Sequence, residues 1–123
     1  MTQLVPRIYI VGCRGLRPDQ TPDNFFYVGE RCRGWPESPL HCAFPIIVPN
    51  LKPHAMRLYK AWLWEVMQDL TSEQYQELAE IAETLKTQSV ILGAWDTETD
   101  GHAYIIKRAV EYLAKQEAER VTA

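Results

Sequence analysis

The sequence predicts a small single α/β domain, with an at least partly parallel sheet packed with about three helices in the order β-β-α-α-β-α. Three observations predict it. Two short stretches rich in β-branched and aromatic residues, "PRIYIVG" and "FFYVGE", lie near the start. The middle of the chain repeats apolar residues at helical spacing. A continuously apolar run, "SVILGAW", then leads directly into one more helical pattern, as a strand covered on both faces leads into the helix of an α/β unit. A chain of 123 residues fits one such domain, residues 1–123. No repeat, low-complexity tract or linker divides it.

Each element has its own signal. Residues 6–12 are bounded by proline and glycine and read as the first strand. "CRGLRPDQTPDN" is rich in turn formers and reads as a loop. Residues 25–30 read as the second strand. Residues 31–53 are punctuated by glycine and proline and read as a long connection, with a short extended piece at "PIIVP". Pro53 can open a helix, after which Met56, Tyr59, Leu63, Val66 and Leu70 follow a three-to-four spacing and Trp62 and Trp64 widen the apolar face. Thr71 with Gln74 three residues later forms a capping pattern for a second helix. Its stripe is Tyr75, Leu78, Ala82 and Leu85, with Glu73, Glu77, Glu80 and Glu83 on a solvated face. Residues 89–95 form the third strand. The last helix begins near 101 and turns Ile105, Ile106, Ala109, Val110 and Leu113 inward.

Composition narrows the function classes. The net charge of −3 divides unevenly: residues 1–60 carry eight Lys/Arg against four Asp/Glu, and residues 61–123 carry five against twelve. This balance argues against nonspecific duplex binding, in which phosphate neutralisation dominates affinity, but it suits a small arginine-lined pocket for an anion. The apolar runs are too short to span a bilayer, and the start shows no signal-peptide pattern, so a cytoplasmic location without membrane association is expected. Cys13, Cys32 and Cys42 show no CxxC spacing, so free thiols are expected rather than a zinc knuckle or disulfides.

In open α/β sheets, ligands bind beyond the carboxyl ends of the strands. That rule selects the loops carrying Arg14, Arg17, Arg31 and Arg33, and the segment "DTETDGH" with Asp96, Glu98, Asp100, Gly101 and His102. Arginines offer bidentate donors to phosphate or carboxylate, and a helix N-terminus attracts anions. Each residue also has an ordinary role open to it. Asp100 would serve as a helix N-cap, Asp96 and Glu98 as solvated loop carboxylates or arginine partners, and His102 as a hydrogen-bonded surface residue. A hard cation on the three carboxylates is chemically feasible, but the spacing is not that of a calcium loop, and no metal site is expected. "GERCRG" lacks the lysine and hydroxyl of a phosphate-binding P-loop, and Ser38 lacks a nucleophile elbow.

The stretches "FFYVGERCRGWPESPLHCAFPI", "HAMRLYKAWLWEVM" and "LGAWDTETDGHAYIIKRAVEYL" resemble the bacterial and phage domain of unknown function 4326 over roughly residues 8–113. Tyr27, Val28, Gly29, Ser38, Pro39, Leu40, Phe44, Tyr59, Trp62, Leu63, Leu92, Gly93, Trp95 and His102 fall on matching positions. The polar motif departs from the family pattern: Ala94, Asp96 and Gly101 stand where it has cysteines, Glu30 replaces an arginine, and His41-Cys42-Ala43 replaces Gly-Asn-Pro. The resemblance implies a nucleotide- or nucleic-acid-handling setting and brings no activity with it, and a thiolate-based metal or redox role does not carry over.

Gly29, Ser38 and Trp95 border the same loops. The expected ligand-binding set is therefore Arg14, Arg31, Arg33, Gly29, Ser38, Trp95, Asp96, Asp100 and Gly101, with His102 as the candidate catalytic group and the cofactor left open. The leading expectation is a domain that binds a small anionic, nucleotide-like ligand at the strand ends. One alternative is a structural or interaction module that has lost an ancestral site, which predicts an exposed apolar patch around Trp35 or Trp64 and a homodimer. The other is a nucleotide-processing hydrolase or transferase with His102 as its acid-base group.

Overall fold

In the computed structural model, residues 5–44 and 51–122 are described, with side chains to residue 119. The "PIIVP" piece lies outside the described residues. The order is β1 (Ile8–Gly12), a single 3-10 turn at Pro18–Gln20, β2 (Phe25–Tyr27), α1 (Lys52–Val66), α2 (Glu73–Leu85), β3 (Val90–Ala94) and α3 (His102–Thr122). The sheet is wholly parallel, in the order β1-β3-β2. The α/β class and the β-β-α-α-β-α order are those the sequence predicts.

Why β3 is continuously apolar follows from its place. It is the central strand, so neither of its edges is free. One sheet face carries Ile8, Ile10, Phe26, Val90, Leu92 and Ala94 into a core shared with Tyr59, Leu63, Leu78, Ile81, Ile106 and Val110 from the helices. Side chains alternate along a strand, so Tyr9, Val11, Phe25, Tyr27, Ile91 and Gly93 belong to the other face. There Trp35 stacks on Tyr27 at 4.8 Å between ring centroids and leans on Phe25 at 5.5 Å. A Cβ at Gly93 would collide with the Phe25 ring and fall 3.0 Å from Cys13 Sγ, so only glycine allows these groups to close over the sheet.

Element boundaries differ from the sequence expectation, most clearly in three places. First, α1 ends at Val66, and Leu70 is exposed rather than part of the stripe, because the chain turns through Asp69 before the next helix. Second, the cap of α2 is Ser72, not Thr71: Ser72 Oγ accepts the Tyr75 amide at 3.1 Å, while Thr71 bonds back to Asp69. Third, β2 ends at Tyr27, and Val28–Glu30 already belongs to the following loop. Glu77 is half-buried, and burial with the nearby Glu80 raises its pKa. Trp35 is buried, and Trp64 is half-buried with its edge against Tyr112, which removes Trp35 from any exposed patch. Among the described residues no helix is long and apolar enough to cross a membrane.

Candidate functional site

Because the three strands are parallel, their carboxyl ends lie along one rim. The Cys13 amide donates to the Ala94 carbonyl at 3.1 Å, and the Val28 amide donates to the Gly93 carbonyl at 3.0 Å. The loops after all three strands therefore leave the sheet side by side.

His102 is the first residue of α3, and its ring is held from two directions. Nε2 lies 2.9 Å from the Val28 carbonyl oxygen, and the ring meets Tyr59 edge-on with centroids 5.5 Å apart. A carbonyl only accepts, so Nε2 carries the hydrogen and Nδ1 presents a lone pair. No side chain or backbone group among the described residues bonds to Nδ1. Burial pushes the His102 pKa below the ordinary 6.5, against the opposing influence of the Val28 carbonyl and the Asp96 charge. The imidazole is neutral at pH 7.

Beside His102 opens a cavity of about 240 Å³. Phe44, Met56 and Trp95 supply its apolar walls, and Glu30, Asp96 and His102 supply acceptors, with Gly29 and Cys42 completing the lining. Burial raises the Cys42 pKa, against a bond from its thiol to the Phe44 carbonyl. That keeps the thiol protonated and unreactive. A second cavity, of about 300 Å³, is lined by Arg14, Arg33, Cys32, Glu30 and Trp95. The two cavities share Glu30 and Trp95. Trp95 is fixed between them: its indole N–H donates to the Tyr27 hydroxyl at 2.8 Å, and that hydroxyl donates to the Glu30 carbonyl.

Arg33 owes its position to a tight turn. Cys32 and Trp35 exchange two backbone hydrogen bonds, at 3.2 and 2.8 Å, around Arg33 and Gly34, whose φ angles are 45° and 89°. Two successive positive φ values make the primed type of hairpin turn, which favours Asn-Gly or Gly-Gly. An arginine at the first of these places is uncommon. Arg31 borders the open depression around this turn with Arg33, not the His102 cavity.

The segment that opens α3 is organised by a lysine outside the expected set. Lys52 Nζ lies 2.8 Å from Asp96, 3.3 Å from Glu98 and 2.8 Å from Asp100. It stands at the start of α1, where the helix dipole disfavours a cation, and the carboxylates offset that cost. Burial works against its charge, yet the three partners outweigh burial and hold its pKa above the ordinary lysine value. Burial alone would raise the Asp96 carboxyl, but Lys52 and the Glu98 amide hold it below the ordinary value. Asp100 therefore reaches toward Lys52, and Gly101, not Asp100, precedes the helix that begins at His102. A Cβ at Gly101 would lie 2.8 Å from Asp96 Oδ2 and 3.2 Å from the Glu98 carbonyl, so glycine is what lets the carboxylate fold against the helix start.

Of the expected residues, Gly29, Trp95, Asp96 and His102 border one cavity, and Arg14 and Arg33 border the adjoining one. Ser38 does not join them: it is buried, its hydroxyl accepts the Leu40 amide at 3.0 Å, and its own amide donates to the Gly29 carbonyl. Cys42, Phe44 and Met56 join the cavity from outside the expected set, and two charged residues of the site also lie outside it. Glu30 showed only as a departure from the family pattern, and Lys52 had no local signal because its partners lie more than forty residues away. Among the described residues no group of His, Cys, Asp and Glu is arranged to hold a metal ion. No family model, curated protein or solved structure matches the chain.

Proposed function

We propose that the domain binds a small anionic, nucleotide-like ligand across the two adjoining cavities, with its phosphate at Arg14 and Arg33 and its ring system beside Trp95 and His102. One observation carries this reading: a basic cavity and an acceptor-lined aromatic cavity meet at a shared wall of Trp95 and Glu30. Guanidinium groups suit phosphate. A cavity of about 240 Å³ is smaller than the roughly 300–1,000 Å³ typical of pockets for whole drug-sized ligands. It therefore suits one ring system, with the rest of the ligand in the neighbouring space.

The resemblance to the domain of unknown function 4326 fits the same reading. The matching positions Tyr27 and Trp95 are hydrogen-bonded to each other, and so are Val28 and His102. They form the frame of the cavity, while the altered positions Glu30 and Asp96 supply its polar lining. Calorimetric and thermal-shift titration with nucleoside monophosphates, phosphate and sulfate tests the proposal. Binding should raise the unfolding midpoint by linkage, and no stabilisation at millimolar nucleotide overturns it.

A second reading, a nucleotide-processing hydrolase or transferase, rests on the neutral His102. Its Nδ1, which no group among the described residues engages, would act as a general base toward a group bound in the cavity. Turnover of a nucleotide that is lost in His102→Asn while binding persists would support this; binding without turnover rejects it.

A further inference from the structure

Among the described residues, the polar side chains that line the ring-binding cavity are chiefly acceptors, and the Cys42 thiol already donates to the Phe44 carbonyl. Glu30 contributes a carboxylate with no hydrogen-bond or ion-pair partner among the described residues, although it borders both cavities. Asp96 brings a second carboxylate, already engaged by Lys52 and the Glu98 amide. His102 adds a neutral ring whose one N–H is taken by Val28, leaving only an acceptor. Ionised carboxylates accept and never donate, and two oxygens side by side match two adjacent donors.

We infer that the cavity selects a guanine-type base, with the Glu30 carboxylate receiving its ring N–H and the adjacent exocyclic amino group. This inference rests on the nucleotide-binding reading above and specifies the base. Among the common bases only guanine sets two donors next to each other on its pairing edge. Adenine and cytosine place an acceptor beside their amino group, and uracil flanks its single N–H with carbonyls. Each of those would bring a lone pair against the Glu30 carboxylate. Trp95 places an aromatic side chain on the cavity wall; stacking of a base on an aromatic ring is tolerant of base identity, so discrimination falls to the carboxylate.

The test is calorimetric titration of the intact chain with guanosine, inosine and adenosine 5′-monophosphates and with ribose 5-phosphate, repeated on Glu30→Gln. A well-placed bidentate pair discriminates by about tenfold or more. The guanosine compound should therefore bind at least about tenfold more tightly than the adenosine compound, with inosine between them. In Glu30→Gln the preference should fall toward one; because Glu30 also borders the arginine cavity, ribose 5-phosphate serves as the reference that separates any general change in phosphate affinity from the loss of base preference. Glu30 is exposed, and the contact it gives Tyr27 comes from its main chain, so the variant should fold normally. Equal binding of the bases, or a preference unchanged in Glu30→Gln, overturns the guanine assignment and leaves nucleotide binding standing. Failure of every compound, ribose 5-phosphate included, overturns both.

Discussion

His102 Nε2 lies 2.9 Å from the carbonyl oxygen of Val28, so the first turn of the last helix is tied to the end of the second strand. These residues are 74 positions apart in sequence, and the bond also fixes which imidazole nitrogen faces a ligand.

The state of this imidazole makes stability depend on pH. Its folded pKa is below 6.5, so between the folded value and 6.5 the unfolded chain binds more protons. The His102 contribution is thus fully present above pH 6.5 and lost as pH falls through the folded pKa. Urea unfolding at pH 7.5 and 5.5 should show a larger loss of stability in the wild type than in His102→Asn. An equal loss in the two proteins contradicts the part-buried, neutral imidazole.

Lys52→Met should destabilise the fold by about 1–2 kcal/mol. Each of the three pairs with partly exposed carboxylates contributes roughly 0.2–1 kcal/mol, and removal of an unfavourable helix-dipole contact offsets part of the loss. Because the carboxylates are solvent-accessible, the difference should shrink in 1 M salt. Chemical denaturation at low and high salt measures it, and a loss independent of salt would point to packing instead.

Arg33 occupies a left-handed backbone position that a glycine adopts without strain. Arg33→Gly should therefore leave stability unchanged or raise it by up to about 1 kcal/mol, while weakening phosphate or nucleotide binding severalfold. Opposite movements of melting temperature and affinity would show an arginine kept for its charge. A variant that binds as well as wild type removes Arg33 from the site.

Gly93→Ala would place a methyl group against Phe25 and the buried Cys13 sulfur. Overpacking of this kind costs about 1–3 kcal/mol, read as a lower urea midpoint with an unchanged slope. An unchanged midpoint would mean that the Phe25 ring moves aside freely.

The fold was legible because its signals are local. "SVILGAW" could be read as a covered strand from its unbroken apolar run, and the stripes of α1, α2 and α3 from their spacing. The boundaries were less legible, since Ser72 and Thr71 are both good caps and only the turn at Asp69 decides between them. At the site, the strand-end rule placed the loops on one rim. It could not foresee that Asp96, Glu98 and Asp100 would gather on Lys52, nor that Ser38 would be consumed by its own turn. Those outcomes depend on contacts between distant segments, which periodicity and capping patterns do not encode.

The central claim is that a nucleotide-like ligand lies against Trp95 at the meeting of the two cavities. The most direct measurement is a nitrogen-15 NMR titration with guanosine 5′-monophosphate, following the Trp95 indole N–H and the amides of Gly29, Glu30 and His102. Saturable shifts should appear at these signals and at Arg14 and Arg33, while Trp64 and Tyr112, farther along α1 and α3, stay unmoved. Signals at the strand rim that do not change, or changes confined to the helix surface around Trp64, would contradict the account.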